Sequence, residues 1–333
     1  MKVRRIADRS AWRAFTEALD ALSDDEVRAL ERSCEAWPDA LRSTPGRWLR
    51  RLLDGEDEPR LRFTRSLEHV LFPEPARRAR LAWASTPWLA ELTTLRLDDG
   101  ALGDEGARAF GRSPHLQNLR ALSLSFGMTA DGVAALVGEN TRQVRDLRLA
   151  RNRIGARGVA RLAGAPRLEA LHLGRNALDD EALDALPAWP RLARLDLDCN
   201  AFTGAGLERL CASGRLAGVR ELNLSNNRIG RRGCDALARA PDLASLEVLF
   251  LHGCDLEDDD VRELLAAPWL RRLKNLALSE NRLSMVSVER LAQSAESYAL
   301  GELDVCHNRF DPTRAEVLLR ASPQLERVTR FCT

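Results

Sequence analysis

The histidines and cysteines are the side chains in this sequence that could support acid–base, nucleophilic or metal-dependent chemistry. The five histidines are scattered along the chain, at His69, His115, His172, His252 and His307. The seven cysteines include no C-x-x-C pair and no grouping with histidine at the spacing of zinc ligands. Phosphate-binding loops, dinucleotide-binding glycine motifs and H-E-x-x-H are also absent from the sequence. We therefore predict a protein that is not an enzyme, with no catalytic residue, no metal site and no cofactor.

Arginine is the other side chain with chemical potential, because its guanidinium can stabilise charge in a phosphoryl-transfer transition state. Only Lys2 and Lys274 among the 50 basic residues are lysines, so nearly all the positive charge is arginine. The sequence singles out no arginine for such a role. The arginine bias, together with abundant alanine, is typical of proteins encoded by GC-rich bacterial genomes.

Charge and hydropathy limit the class of partner. The net charge of +1 argues against a dedicated nucleic-acid-binding protein. No segment approaches the ~18 consecutive apolar residues of a membrane-spanning helix. The first 15 residues are basic but lack the apolar run of a signal peptide. We expect a monomer whose partner is neither a nucleic acid nor a membrane.

A repeated stretch organises most of the chain. Val219 to Ile229 reads VRELNLSNNRI and has the form L-x-x-L-x-L-x-x-N-x-L. Related stretches recur at steps of 24 to 27 residues. The nine copies begin at Leu92, Leu119, Val144, Leu168, Leu192, Val219, Leu246, Leu273 and Leu300.

Each copy predicts one strand followed by one helix. The L-x-L segment alternates apolar and polar residues, which is the pattern of a short strand with one buried face. The stretch after Asn227 then places Ile229, Gly233 and Leu237 at helical spacing. Neither element can bury its apolar face alone, so neighbouring repeats must stack. We predict nine parallel strands along an inner, concave surface, with the helices outside.

The asparagine of the repeat is predicted to be structural. A buried amide can satisfy backbone groups that are left unpaired where the chain turns away from the strand. Cys254 replaces it in the seventh repeat, and Gly100 and Gly127 replace it in the first two. It is present at Asn152, Asn176, Asn200, Asn227, Asn281 and Asn308.

The period, together with helical phrases such as LGDEGARAFGRSPHLQNL from Leu102 to Leu119, resembles the ribonuclease-inhibitor-like class of leucine-rich repeat proteins. The resemblance extends over about Leu92 to Phe310. It implies an α/β leucine-rich repeat solenoid, shaped as a horseshoe, with a parallel inner sheet and outer helices. It also implies that the concave face binds another protein.

Three regions are predicted along the chain: a helical N-terminal cap over 1–88, nine repeats over 89–311 and a C-terminal cap over 312–333. Within the first region, Trp12, Phe15 and Leu19 form an apolar stripe, and Ser23 to Glu26 is a capping-box sequence. A further helix is expected over Arg60 to Phe72. The first region should cover the edge of the first repeat, although a separate docking or effector role is the alternative.

The variable strand positions predict the binding surface. The middle position of each strand gives the row Arg96, Ser123, Arg148, His172, Asp196, Asn223, Phe250, Ala277 and Asp304. Residues 141–175 contain nine arginines against two acidic residues, a net charge of +7. Two further groups follow along the chain. The first is a pair of acidic residues, the acidic step, at Asp196 and Asp198, and the second is a largely apolar group, the apolar island, at Val248, Phe250 and His252. The residues predicted to bind the partner are Arg96, Arg148, Arg151, Arg175, His172, Asp196, Asp198, Val248, Phe250 and His252.

Two interpretations of Phe250 remain open. An exposed aromatic side chain among small neighbours is typical of an interface anchor. Alternatively, the ring folds sideways onto Val248 and contributes only to packing.

The cysteines are predicted to be free thiols in a reducing cytoplasm, because the cysteine-rich caps of extracellular leucine-rich repeat proteins are not visible. They lie at Cys34, Cys199, Cys211, Cys234, Cys254, Cys306 and Cys332. Cys306 should project from a strand towards the concave face, either as a reactive thiol or as a plain small side chain.

Together these features predict a cytoplasmic, non-catalytic protein–protein interaction module, a scaffold or adaptor that binds a partner through its concave face. The alternative hypothesis is an enzyme regulator, either a direct inhibitor or a GTPase-activating protein.

Overall fold

The computed structural model describes residues 9–30, 38–39, 42–53, 58–70, 81, 84–97, 102–125, 127–293, 299–326, 328 and 330–332. The chain divides into two compact units, Met1–Arg148 and Leu149–Thr333. Each unit is built from short parallel strands connected through helices.

In the described part of the first unit, three helices precede four parallel strands. Each strand pairs with the next in chain order. The elements are α1 (Arg9–Asp20), α2 (Asp24–Ala29), α3 (Gly46–Leu53), β1 (Ser66–Val70), β2 (Thr94–Leu97), α4 (Gly103–Gly111), β3 (Ala121–Leu124), α5 (Ala130–Leu136) and β4 (Asp146–Arg148).

The second unit alternates helices and parallel strands, and each strand again pairs with the next from β5 to β11. The helices are α6 (Gly155–Arg161), α7 (Asp180–Asp184), α8 (Gly204–Ala212), α9 (Gly230–Arg239), α10 (Asp258–Leu265), α11 (Met285–Ala292) and α12 (Pro312–Arg320). The strands are β5 (Ala170–His172), β6 (Arg194–Asp196), β7 (Glu221–Asn223), β8 (Val248–Phe250), β9 (Asn275–Ala277), β10 (Glu302–Asp304) and β11 (Arg330–Cys332).

Leucines in register form the core side of the second unit. The central leucine of each strand lies opposite the central leucine of the next, and none is more than 3% exposed. This leucine row consists of Leu171, Leu195, Leu222, Leu249, Leu276 and Leu303. Successive helices contact one another along the unit. The predicted alternation of parallel strands and helices is confirmed within each unit, and all nine predicted strands are present as β2 to β10.

The prediction of a helix over Arg60 to Phe72 is wrong. Pro59–Phe63 forms a short 3-10 helix, and Ser66–Val70 forms strand β1. Leu67 lies opposite Leu95 of β2 and is fully buried. Pairing with β2 satisfies backbone groups that a helix would otherwise satisfy internally, so tertiary pairing overrides the local pattern. The described strands therefore extend beyond the nine predicted ones, to β1 and to β11.

The asparagine of the repeat is structural, as predicted. Asn227 is 2% exposed, and its amide donates to the carbonyl oxygens of Leu197, Leu224 and Ser225 at 3.0, 3.0 and 2.9 Å. Its Oδ1 accepts the backbone N–H of Asn200 at 3.1 Å. One amide thus joins two neighbouring repeats by satisfying both donors and acceptors of the turn.

Cys254 takes the place of the asparagine in the seventh repeat. Its Sγ lies 3.4 Å from the Leu224 carbonyl oxygen, and its backbone N–H donates to Asn281 Oδ1 at 2.9 Å. The thiol keeps two of the three carbonyl contacts that an asparagine amide makes, those with Leu224 and His252. Gly127 adopts a positive φ of 71° in the second repeat, while Gly100 lies outside the described residues.

A second inter-repeat device joins the helix starts. The carboxylate of Asp180 accepts the backbone N–H of Thr203 at 2.6 Å and its hydroxyl at 2.9 Å. A Cβ at Gly206 would lie 2.5 Å from Asp180 Oδ1, so glycine at this position leaves room for the carboxylate. The same arrangement links Asp104 to Thr129 and Asp258 to Ser284.

In the first unit, a buried arginine holds the junction of α1 and α2. Arg60 donates to the carbonyl oxygen of Leu19 at 3.1 Å and to the carboxylates of Asp24 and Glu58 at 2.7 and 2.8 Å. Hydrogen bonds from Arg51, at 2.9 Å, and from Arg60 hold the pKa of Asp24 well below its usual value. The Ser23–Glu26 capping box is present, as predicted, at the start of α2.

Candidate functional site

The strands of the second unit present a row of side chains away from the leucine row. The strand register places His172, Asp196, Asn223, Phe250, Ala277 and Asp304 side by side. We call the surface formed by this row, together with the residues two positions further along each strand, the strand face. The second unit's part of the predicted middle row is thus brought together by the fold.

A pocket of about 260 Å³ opens on the strand face at β8, β9 and β10. The rings of Phe250 and His252 form one side, stacked with centroids 6.0 Å apart and an interplanar angle of 19°. The pocket is lined by Phe250, His252, Asn275, Leu276, Ala277, Glu302, Leu303 and Asp304. The Phe250 ring is half-buried, so part of it remains available to a partner.

Ser279, His252 and Asp304 lie together but do not form a proton relay. His252 Nδ1 is in contact with Ser279 Oγ and lies 3.8 Å from Asp304 Oδ2. A Ser–His–Asp relay needs the hydroxyl and the carboxylate on different ring nitrogens. Here both face the same nitrogen, so the arrangement orients the imidazole instead of activating the serine.

His172 and Asp196 form a second polar group further along the strand face. His172 Nδ1 lies 3.4 Å from Asp196 Oδ2. Burial of Asp196 opposes its ionisation, but hydrogen bonds from His172 and from the Asp198 backbone N–H outweigh burial and lower the pKa of Asp196. Asp198 in turn accepts a hydrogen bond from Asn226 Nδ2 at 2.8 Å. The predicted acidic step is therefore a hydrogen-bonded cluster.

Three aspartates of the strand face, Asp196, Asp198 and Asp304, have no arginine or lysine within salt-bridge distance in the part of the chain that the structure describes. Many acidic residues elsewhere in the second unit are paired. Asp184 binds Arg209 at 2.9 Å, Glu208 binds Arg232 at 2.6 Å and Glu247 binds Lys274 at 2.6 Å. The strand face therefore carries uncompensated negative charge.

The predicted arginines fall into two groups. In the first unit, Arg96 lies opposite Ser123 and Ser123 opposite Arg148, so the two arginines lie on the same row. Arg148 donates to both carboxylate oxygens of Asp146, at 3.1 and 3.0 Å, so its charge is locally compensated. Asp146 and Arg148 can pair because residues two positions apart on a strand share a face.

Arg151 and Arg175 belong to the second unit and lie in the turns that follow strands. Both are exposed and adopt left-handed backbone conformations, with φ of 60° and 58°. Their backbone N–H groups donate to the carbonyl oxygens of Gly174 and Asp198, each at 2.9 Å. These hydrogen bonds fix the two turns beside the strand face while the guanidinium groups extend into solvent.

The residues predicted from the sequence to bind the partner do not include Asp304, Glu302, Asn275 or Ser279. The available signal was the small residue Ala277 between Phe250 and Asp304 at the middle positions of three consecutive repeats. A row with a large side chain at Phe250, a small one at Ala277 and an acidic one at Asp304 indicates a pocket with an acidic side.

The expectation of seven free thiols is wrong at Cys306, which is disulfide-bonded. Spacing in the sequence does not reveal which sulfur atoms the fold brings together. Neither predicted role for Cys306, a reactive thiol or a plain small side chain, therefore describes it. Disulfides are rare in a reducing cytoplasm, so the cysteines no longer support a cytoplasmic location.

The buried free thiols are poor nucleophiles. Among the cysteines that the structure describes, three free thiols are buried, those of Cys211, Cys234 and Cys254. Burial raises the pKa of Cys211 and of Cys254 to about 12, and it raises the pKa of Cys234 well above its usual value. A thiol with such a pKa is protonated at neutral pH, and the thiolate is the reactive form.

Across the described ranges, no group of three or more histidine, cysteine, aspartate or glutamate side chains is placed to hold a metal ion. Within the same residues, no helix combines the length and apolar character needed to cross a bilayer.

Comparison with known proteins identifies the repeat. A family model described as Leucine Rich repeat matches residues 91–111, 166–186 and 219–238. An internalin from Listeria monocytogenes is similar in structure, with 18% identity and a TM-score of 0.44, over 74% of this chain and 81% of the internalin chain. A chain of the mouse RP105/MD-1 complex has 19% identity and a TM-score of 0.46, over 78% of this chain and 49% of its own length. No curated protein matches the sequence. The three matched segments are leucine-rich repeats, and the same alternation of strand and helix recurs in the other described repeats.

Proposed function

We propose that the protein is a non-catalytic interaction module, a scaffold or adaptor, that binds a partner protein through the strand face of its second unit. The observation that carries this proposal is the pocket in which the half-exposed Phe250 faces Asp304, an aspartate without an arginine or lysine partner among the described residues. Leucine-rich repeat proteins are commonly protein-interaction modules, which supports the same function.

The chemistry of the strand face favours a protein partner. A large aromatic side chain held by a neighbouring ring is pre-organised, so little conformational entropy is lost when a partner covers it. Charged groups around such an anchor contribute orientation and association rate. The aspartates of the strand face complement a basic surface on the partner, and the exposed Arg151 and Arg175 complement an acidic one.

The alternative function, a GTPase-activating protein, needs an arginine that is available to a bound GTPase. Arg148 does not meet this requirement because Asp146 binds its guanidinium. Arg151 and Arg175 do meet it, since both are exposed and, among the described residues, neither guanidinium makes a salt bridge. The rate of GTP hydrolysis by a captured GTPase is measured in the presence of the wild-type protein, the Arg151→Ala variant or the Arg175→Ala variant. A wild-type protein that accelerates hydrolysis, with a variant that does not, would separate this activity from simple binding.

The experiment that tests the proposed function is site-specific photo-crosslinking. A benzophenone amino acid is placed at Asn223, in the middle of the strand face, or at Val317, which is 67% exposed on α12. After the partner has been captured and purified, we expect it to crosslink from position 223 and not from position 317. Crosslinking from position 317 alone would place the partner on the helices and contradict the proposal.

A further inference from the structure

The register of three strands builds a pocket with two chemically different sides. Phe250 lies opposite Ala277, and Ala277 lies opposite Asp304. Because alanine contributes only a methyl group, the phenyl ring and the carboxylate face each other across the pocket of about 260 Å³. This volume is below the range of about 300–1,000 Å³ for small-molecule sites, and it suits one long side chain of a larger partner.

The aromatic side of the pocket is fixed in place. The Phe250 ring stacks on His252 with centroids 6.0 Å apart, and His252 is held by Ser279. An aromatic face attracts a cation placed within about 6 Å of its centroid. Phe250 therefore offers a rigid surface for a flat, positively charged group.

The acidic side of the pocket is available to a cation. Asp304 Oδ1 accepts the backbone N–H of Cys306 at 3.0 Å, which orients the carboxylate. Its Oδ2 lies 3.8 Å from His252, the one ionic contact of Asp304 among the described residues. The Asp304 side chain is one-third exposed, at 33%. Glu302 adds a second carboxylate, which Asn275 Nδ2 holds through a hydrogen bond of 2.8 Å.

We propose that this pocket binds an arginine side chain of the partner protein, with the guanidinium stacked on Phe250 and donating hydrogen bonds to Asp304. The inference rests on the proposed function, because it names what the partner presents to the strand face. Arginine fits better than lysine, since its planar guanidinium both stacks on aromatic rings and forms paired hydrogen bonds with a carboxylate.

Other occupants fit less well. An anionic group would face two carboxylates, Glu302 and Asp304, at close range. A purely apolar side chain would remove these carboxylates from water without offering them a hydrogen bond, which is unfavourable. An arginine satisfies the carboxylates with its guanidinium and covers Phe250 and Ala277 with its methylenes.

The inference can be tested without the partner. N-acetylarginine methylamide is titrated into the full-length protein, and its affinity is measured by saturation-transfer difference NMR. N-acetylnorleucine methylamide serves as the uncharged probe of similar length. We expect the arginine probe to bind at least about tenfold more tightly than the norleucine probe, because only the guanidinium forms charge-assisted hydrogen bonds.

Three variants locate the bound probe. Asp304→Asn keeps the acceptor for the Cys306 N–H but removes the charge, and it should weaken arginine binding at least about tenfold. Phe250→Leu keeps an apolar side chain but removes the aromatic face, and about a two- to fivefold loss is expected. Asp255→Asn is the matched control: Asp255 binds Arg282 outside the pocket, and asparagine tolerates its φ of 61°. This control should bind the probe as the wild type does.

Two results would overturn the inference: equal binding of the two probes, or unchanged arginine binding by Asp304→Asn and Phe250→Leu. Either result leaves the proposed function intact if the partner still crosslinks from position 223. Crosslinking from position 317 alone would contradict the proposed function whatever the probes do. The two failures are therefore distinguishable.

Discussion

The carboxylate of Asp304 lies 3.8 Å from the imidazole of His252, two strands away in the sheet. The Phe250 ring also stacks on the His252 imidazole, so this imidazole contacts both the aromatic and the acidic side of the pocket. Ser279 and Asp304 both face the same nitrogen of the His252 ring. The cluster therefore fixes the orientation of the imidazole and does not activate a nucleophile. This arrangement is the basis for proposing a binding function at this surface.

Replacing Asn227 with alanine should lower the free energy of unfolding by ~1–3 kcal/mol, because three carbonyl oxygens and the Asn200 N–H lose their buried partner. Chemical denaturation followed by circular dichroism measures the change. Arg228→Ala, at the exposed neighbouring position, is the control and should stay within about 0.5 kcal/mol of the wild type. If the Asn227→Ala variant is as stable as this control, the asparagine does not have the structural role assigned to it.

Replacing Arg60 with alanine should destabilise the protein by about 1–3 kcal/mol, because the buried Glu58 carboxylate loses a charge-assisted hydrogen bond and retains Arg51, at 3.1 Å. The Glu58 side chain is 1% exposed, so water cannot replace the arginine. The double variant Glu58→Gln with Arg60→Met should recover most of the loss, since no buried charge then remains. Thermal melts of the two variants decide the point, and equal losses in both would show that packing, not charge, is responsible.

Removing the charge of Asp258 should give a pH-dependent loss of stability. Burial opposes ionisation of Asp258, but hydrogen bonds from Ser284 and Ser287 outweigh it and lower the pKa of the carboxyl in the folded state. A lowered folded-state pKa stabilises the protein above the unfolded pKa of about 3.9, and this contribution is lost as pH falls through the folded value. Asp258→Asn should therefore melt below the wild type at pH 7, and the difference should shrink below about pH 4. A difference that is constant between pH 7 and pH 3 would contradict the assigned hydrogen bonds.

Charge reversal should affect the two groups of arginines differently. Arg175→Glu should slow association with an acidic surface of the partner and make the rate less salt-sensitive, because Arg175 is exposed and has no acidic partner among the described residues. Arg148→Glu should have a smaller effect on the association rate, since Asp146 already compensates the arginine. Surface-binding kinetics at two salt concentrations compare them. A larger effect at Arg148 would mean that the Asp146 pairing opens in the complex.

The repeat could be predicted from the sequence because every copy must bury the same strand positions and satisfy the same turn. Leu222 and Leu249 must be buried for each strand to pack, and Asn227 must satisfy the turn, so both recur with the period of the fold. Strand β1 was not predicted, because Leu67 fits a helical pattern equally well until it pairs with Leu95. The disulfide of Cys306 was not predicted either, because pairing depends on distance in space.

The pocket is an intermediate case. Successive members of the row Phe250, Ala277 and Asp304 are 27 residues apart in sequence, and only the strand register makes them neighbours. The repeat predicted this row correctly. The size contrast at Ala277 could also be read from the sequence, but the stacking of Phe250 on His252 depends on side-chain conformations that no repeat consensus encodes.

The central claim, that the partner binds the strand face of the second unit, is tested most directly by the dissociation rate of the Phe250→Ala complex. With the captured partner immobilised, we expect Phe250→Ala to dissociate at least about fivefold faster, a loss of ~1–4 kcal/mol, with little change in association rate. Val317→Ala, on the exposed side of α12, should match the wild type. Wild-type dissociation by Phe250→Ala, with faster dissociation by Val317→Ala, would contradict the claim and place the interface on the helices.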